Sequence, residues 1–238
     1  MSRQFGRIPS PIDNRDWDIR CFEPKRVSIA PGQWNEWEFP CVPLDQEESP
    51  HCVGFGGAHF GINLPTFTVY TKQDAHDLYY KCKVVDGEPG AENGTTIRSI
   101  AKVLQDIGAI NNYAFARDIE SIKWWLVNKG PLILGVIWTE NMMTPDENGL
   151  LDIGGFILGG HCVLANGLMP DGRIKILNSW GPEWGINGEA YLTEDDFKAI
   201  FYYGGEALSA VELENYKIKR EHWFIRLIKR ILESLKRT

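Results

Sequence analysis

Gln46-Glu47-Glu48-Ser49-Pro50-His51-Cys52 and Asn178-Ser179-Trp180-Gly181-Pro182-Glu183-Trp184-Gly185 decide how this chain reads, with 126 residues from Cys52 to Asn178. Between them lies Gly159-Gly160-His161-Cys162-Val163, a histidine in a small and apolar run. The three stretches supply a thiol, an imidazole and two carboxamides. A thiolate, not a thiol, is the nucleophile toward an amide carbonyl. An imidazole within reach takes the thiol proton and returns it to the leaving amine. The glycines before His161 leave room for another backbone to approach that segment.

Glutamine six residues before a cysteine, then a histidine, then an asparagine that opens NSWGxxWG, resembles the papain-like cysteine peptidases over roughly residues 40 to 205. The resemblance implies Cys52 as nucleophile at the start of a helix over residues 52–62, and His161 as base and then acid. It implies that Asn178 orients the imidazole while Trp180 shields that bond from water. Gln46 would offer its side-chain amide to the oxyanion beside the Cys52 N–H. Asn93, Gly94, Gly160 and Trp180 are the implied substrate-binding residues, with Asn93-Gly94 as a backbone wall for an extended peptide. Glu47, Glu48, Glu88 and Glu92 near such a cleft suggest tolerance for basic peptides. His161 follows Cys52 by 109 residues, less than the roughly 130–150 usual in the family, so short inter-lobe loops are expected.

One departure concerns the nucleophile helix. Val53 stands where the family has tryptophan, and Gly54, Gly56, Gly57 and Gly61 each disfavour helix by about 1 kcal/mol against alanine. Either close backbone packing demands those glycines or the helix is distorted.

Local patterns supply the rest. Gln73 to Cys82 has helical apolar spacing, and Thr95 or Thr96 can cap a helix through about Gln105 that Gly108 ends. Asp118 caps another, stopped by Gly130-Pro131. Leu132 to Trp138 is a continuous apolar run rich in branched residues, a buried strand. His161–Leu168, Arg173–Asn178 and Ala190–Leu192 are shorter strands. Helices first and strands second give an α+β class with segregated layers. The resemblance makes this a papain-like two-lobed fold: a helical lobe (about 46–127) facing an antiparallel β-barrel-like lobe (about 128–215), with the cleft between them. Residues 1–40 form a proline-rich leader, expected to be a strap packed on the body more than a self-inhibitory segment. Residues 41–215 form the catalytic domain.

The 238 residues carry a net charge of −7, unevenly spread. From Lys217 onward eight Lys/Arg oppose two Glu, so the tail holds +6 and the remaining chain −13. An acidic body argues against nucleic acid as a partner. Residues 216–238 form a basic amphipathic pattern, with Trp223, Phe224, Leu227, Ile228, Ile231, Leu232 and Leu235 opposite Arg226, Lys229, Arg230 and Lys236. Three uses compete for it: packing on the body, contact with a partner or second subunit, and an anionic membrane surface. No run of about 18 apolar residues spans a membrane, and Met1 to Gly6 has no signal-peptide character.

Five cysteines without a CxxC pair argue against zinc, and no metal or cofactor is expected. Cys21, Cys41, Cys82 and Cys162 read as small buried residues, and free thiols imply a reducing cytoplasm. His51 and His59 flank the nucleophile, while His76 and His222 read as surface residues. The function expected is hydrolysis of polypeptides through a Cys52 thioester. The alternatives are an inactive binding protein on the same fold, or a thiol amidase or transamidase acting on non-protein amides.

Overall fold

The computed structural model describes residues 3–22 and 29–211. The basic C-terminal segment and His222 lie outside the described residues. In chain order the main elements are β1 (Asn35–Glu36), α1 (Cys52–Ile62), α2 (Lys72–Val85), α3 (Ile97–Asp106), β2 (Tyr113–Ala116), α4 (Ile119–Asn128) and β3 (Leu132–Thr139). Then come β4 (Ile157–Leu168), β5 (Ile174–Leu177), β6 (Glu189–Leu192), α5 (Glu194–Tyr202) and β7 (Glu206–Ala210).

Helix starts follow local chemistry. Thr71 caps α2 in a reciprocal box with Asp74, Thr96 accepts from the Ser99 N–H at α3, and Asp118 accepts from the Ser121 N–H at α4. Helix α1 has no such side-chain cap, and all eleven of its residues are buried. Its glycines are contact points. A Cβ at Gly54 would lie 2.8 Å from the Tyr79 backbone N, one at Gly56 2.6 Å from the Cys162 sulfur, and one at Gly57 2.6 Å from Ile100 Cδ1. A Cβ at Gly61 would press on the Tyr70 ring. The helix is therefore continuous, and glycine lets α2, α3, β4 and Tyr70 close on it from every side.

The strands form one antiparallel sheet in the order β2-β7-β3-β4-β5-β6, with β1 paired to β4. The sheet ends on β2 and β6, so the expected barrel-like lobe is an open sheet. Strand β3 reads as an unbroken apolar run because both of its faces are covered. Leu132, Leu134, Val136 and Trp138 join a core with α4 and α5, while Ile133 joins the core of α1–α3.

The strand-rich half draws on both sides of residue 127, where the two expected lobes meet. Strand β2 lies before it yet pairs with β7, and α5 lies inside the strand-rich half. The cause is long-range pairing, which joins Tyr113 to Ala210. Cys21 is exposed and Cys41 half-buried, against the expectation of burial, and all five cysteines are free. Among the described residues no helix is long and apolar enough to cross a membrane.

Candidate active site

Cys52 is the first residue of α1, where the unpaired N–H groups and helix dipole favour a negative sulfur. His161 lies on β4, and its Nε2 is 2.8 Å from Asn178 Oδ1. A carboxamide oxygen only accepts, so Nε2 carries the hydrogen and the Nδ1 lone pair is left for chemistry. Nδ1 has no hydrogen-bond partner among the described residues. The Ser179 N–H donates to the same Oδ1 at 2.8 Å, which fixes the amide's orientation.

Ser179 also holds Gln46. Its hydroxyl donates to Gln46 Oε1 at 2.7 Å, leaving Nε2 to donate to the Ser49 and Gln4 carbonyls at 2.7 and 3.2 Å. One residue thus sets both carboxamides, a role sequence reasoning missed although Ser179 sits inside the quoted motif. Trp180 is tilted over His161, ring centres 5.0 Å apart, and Trp138 meets the imidazole edge-on at 4.8 Å. Trp138 was legible only as strand core.

Residues 3–8 of the leader run through the cleft. Phe5 packs on His161 and Trp180, and the Gly6 N–H bonds the Cys52 sulfur. The Arg7 N–H donates to the Gly160 carbonyl at 2.9 Å. The Thr95 N–H donates to the Gly6 carbonyl and the Ile8 N–H to the Thr95 carbonyl, both at 2.8 Å. Gly94 (φ +86°) and Gly160 flank this strap, and a Cβ at either would strike its backbone. Gly94 is fixed by α2: Lys83 donates to its carbonyl at 2.8 Å, and its own N–H donates to the Tyr79 hydroxyl at 3.1 Å. The Asn93 side chain instead donates to Glu88, away from the strap. Sequence reasoning placed Gln46, Cys52, His161, Asn178, Gly94, Gly160 and Trp180 in one site, and the structure brings all seven around residues 4–7 of the leader.

His51 is buried, not a loose flank. Its Nε2 lies 2.6 Å from Glu92 and its Nδ1 2.7 Å from His76 Nδ1, and its ring stacks on Tyr79. His76 is accordingly half-buried and bonded, not a surface residue. Three of the four acids expected to face a basic peptide are paired with the protein itself: Glu47 with Lys72, Glu88 with Lys83, and Glu92 with His51 and Tyr80.

Under the strap, Cys52 and His161 have no exposed surface, and burial governs their charge. It pushes the Cys52 thiol up to about 11, against the backbone N–H groups of Gly6, Cys162 and Val53. It draws His161 down to about 4, against the Asn178 bond. Covered in this way, the thiol and the imidazole are both neutral. His59, buried in α1 and accepting from the Leu44 N–H, is held down to about 3.

A stability prediction follows from these two rings. Both have folded pKa values below the unfolded 6.5, so the unfolded chain binds more protons under pH 6.5. Their contribution is complete above pH 6.5 and is lost as pH falls toward 4. The expected slope is up to about 1.4 kcal/mol per pH unit for each ring. Urea unfolding at pH 7 and pH 5 measures it, and equal midpoints would show that neither ring is held neutral.

No family model matches the chain. It is 34% identical over 160 residues to an uncharacterized peptidase C1-like protein of Acanthamoeba polyphaga mimivirus, a match spanning 61% of this chain. The chain spans about half (51%) of that relative's length. Among solved structures it is similar to xylellain, a cysteine protease from Xylella fastidiosa, with a TM-score of 0.69 and 17% identity over 89% of this chain and 99% of that one. It is also similar to procathepsin B of Trypanosoma congolense, with a TM-score of 0.57 and 12% identity over 88% of this chain and 86% of that one. The chain therefore has the papain-like fold of the C1-type cysteine peptidases.

Proposed function

We propose that the chain is a cysteine peptidase that hydrolyses polypeptides through a thioester on Cys52. The observation that carries this is the His161–Asn178 bond, which leaves Nδ1 unpartnered in a cleft shared with Cys52 and the Gln46 amide. The name of the mimivirus relative supports it.

Nδ1 takes the thiol proton and the sulfur adds to the scissile carbonyl. The oxyanion is met by Gln46 Nε2 and the Cys52 N–H, and loss of one such donor typically lowers the rate about 100- to 1000-fold. The Gln4 carbonyl already bonded to Gln46 stands where a substrate carbonyl would. Collapse breaks the C–N bond as Nδ1 returns the proton to the leaving amine. Water, deprotonated by Nδ1, then cleaves the C–S bond and releases the acid.

The strap supports a second reading, a binding protein whose cleft is permanently filled by its own leader. Iodoacetamide mapping with peptide-library digestion decides between them, run on the full chain and on Cys52→Ala. The peptidase is expected to cleave and to be modified at Cys52, with cleavage lost in the variant. Hydrolysis that survives Cys52→Ala, or a Cys52 that resists labelling under every condition that keeps the fold, overturns it.

A further inference from the structure

His59 is a buried titratable group of α1 that the proposed chemistry does not use. We propose that His59 is a positioning residue for the oxyanion site, a strut that ties the chain carrying Gln46 to the helix carrying Cys52. The proposal rests on the peptidase reading and gives a task to a residue outside the set of Gln46, Cys52, His161 and Asn178.

The two oxyanion donors sit on different parts of the molecule. The Cys52 N–H belongs to α1, and the Gln46 amide to an arm over residues 44–46. That arm is bonded to the segment after β5: the Gln46 N–H donates to the Ser179 carbonyl at 2.9 Å and the Gly181 N–H to the Leu44 carbonyl at 3.3 Å. The Ser179 hydroxyl adds its bond to Gln46 Oε1 at 2.7 Å. Other bonds of the arm stay within residues 45–49 or reach the strap. Among the described residues one hydrogen bond joins the arm to α1, from the Leu44 N–H to His59 Nε2 at 3.0 Å. Seven residues from Cys52 to His59 put both on one stripe of the helix, about 10 Å apart along its axis.

The chemistry of the ring suits a strut. A backbone N–H only donates, so Nε2 accepts and the hydrogen of this neutral imidazole is on Nδ1. Burial holds His59 down to about 3, so the acceptor lone pair persists far below neutral pH. Phe39 meets the ring edge-on with centres 5.2 Å apart and holds it against the arm. An imidazole buried in a helix is unfavourable unless its polar atoms are bonded, and a leucine there would carry no such penalty. Without the acceptor the arm follows Ser179 and Gly181, and Gln46 loses its fixed offset from the Cys52 N–H. A misplacement of about 1 Å can lower a rate about 100-fold.

The test compares two reactions of Cys52 in the full-length protein. Peptide hydrolysis passes through an oxyanion and uses Gln46, whereas iodoacetamide alkylation displaces iodide from a saturated carbon and does not. The strap must open for both, so its opening cancels from their ratio. His59→Leu is expected to lower kcat/KM for a peptide substrate by about 10- to 100-fold while the alkylation rate changes by less than about threefold. His59→Gln, whose carboxamide oxygen can accept from Leu44, is expected to return hydrolysis to within about fivefold of wild type. In a Gln46→Ala background His59→Leu should cost nothing further, because the donor it positions is gone. Equal losses of hydrolysis and alkylation overturn the proposal, since they mark a general support of the helix. So does unchanged hydrolysis in His59→Leu, or a full additional loss on top of Gln46→Ala. Should His59→Leu not fold, imidazole 15N NMR of the wild type reads the strut directly. Nε2 of His59 is expected to be bare of hydrogen from about pH 8 to about pH 5, and a hydrogen on Nε2 in that range overturns the proposal. That signal needs no turnover, so a wild type that hydrolyses no peptide counts against the peptidase reading alone.

Discussion

Arg7→Ala is expected to raise the rate of iodoacetamide modification of Cys52 at pH 7 by about 100-fold or more. Burial beneath the strap pushes the thiol up to about 11, which leaves roughly one sulfur in ten thousand ionised at neutral pH. Removing Arg7 leaves Glu206 buried without its cation, a change worth about 3–5 kcal/mol when one partner of a buried pair is lost. Six backbone and side-chain bonds hold residues 4–8, and of these the Arg7–Glu206 pair alone carries full charge on both partners. Once water reaches the sulfur, the α1 N-terminus and the His161 imidazole both favour the thiolate. A fall of two units in the thiol pKa gives the hundredfold. Mass mapping of the Cys52 peptide against pH reads it, with exposed Cys21 as internal standard. An unchanged rate would show that the Arg7–Glu206 pair does not hold the strap in place.

Gly54→Ala is expected to destabilise the fold by about 3 kcal/mol or more, even though alanine is the better helix former by about 1 kcal/mol. The added carbon would meet the Ala75 carbonyl and lie 2.8 Å from the Tyr79 backbone N. Both belong to the backbone of α2, which cannot turn aside as a side chain can. Helix α1 would have to move away, and Cys52 with it, so activity should fall alongside stability. Gly57→Ala is the comparison: its obstacle is the Ile100 side chain, and a smaller loss is expected. For a chain of this size the Gly54 effect corresponds to a melting temperature lower by roughly 6–12 °C. Equal melting temperatures for wild type and Gly54→Ala would mean that the helices are not in backbone contact.

The elements legible in the sequence were those with local causes. Asp118 starts α4 because its carboxylate meets the Ser121 N–H three residues on, and Thr96 does the same at α3. Helix α5 carries the same kind of signal, Thr193 accepting from the Asp196 N–H, though its apolar pattern is short. Strands β2 and β7 have no comparable mark. Their residues pair with each other across nearly a hundred positions of chain, β7 also with β3 and Phe115 of β2 also with the Trp17–Asp18 segment, and nothing within either strand announces the partner.

The site divides along the same line. The resemblance to the papain-like cysteine peptidases, carried by residue types and their order, implied one chemistry for Gln46, Cys52, His161 and Asn178. Ser179 was in view but its two hydrogen bonds were not, since they depend on where the Gln46 loop crosses β5's exit. The strap's path, the pairing of Arg7 with Glu206, and the neutral state of the thiol and imidazole belong to tertiary structure alone. Each arises from groups distant in sequence, 42 residues apart at Gln4–Gln46 and 199 at Arg7–Glu206, being brought out of water together. Desolvation and charge pairing depend on what surrounds a group in space, and sequence order does not carry that information.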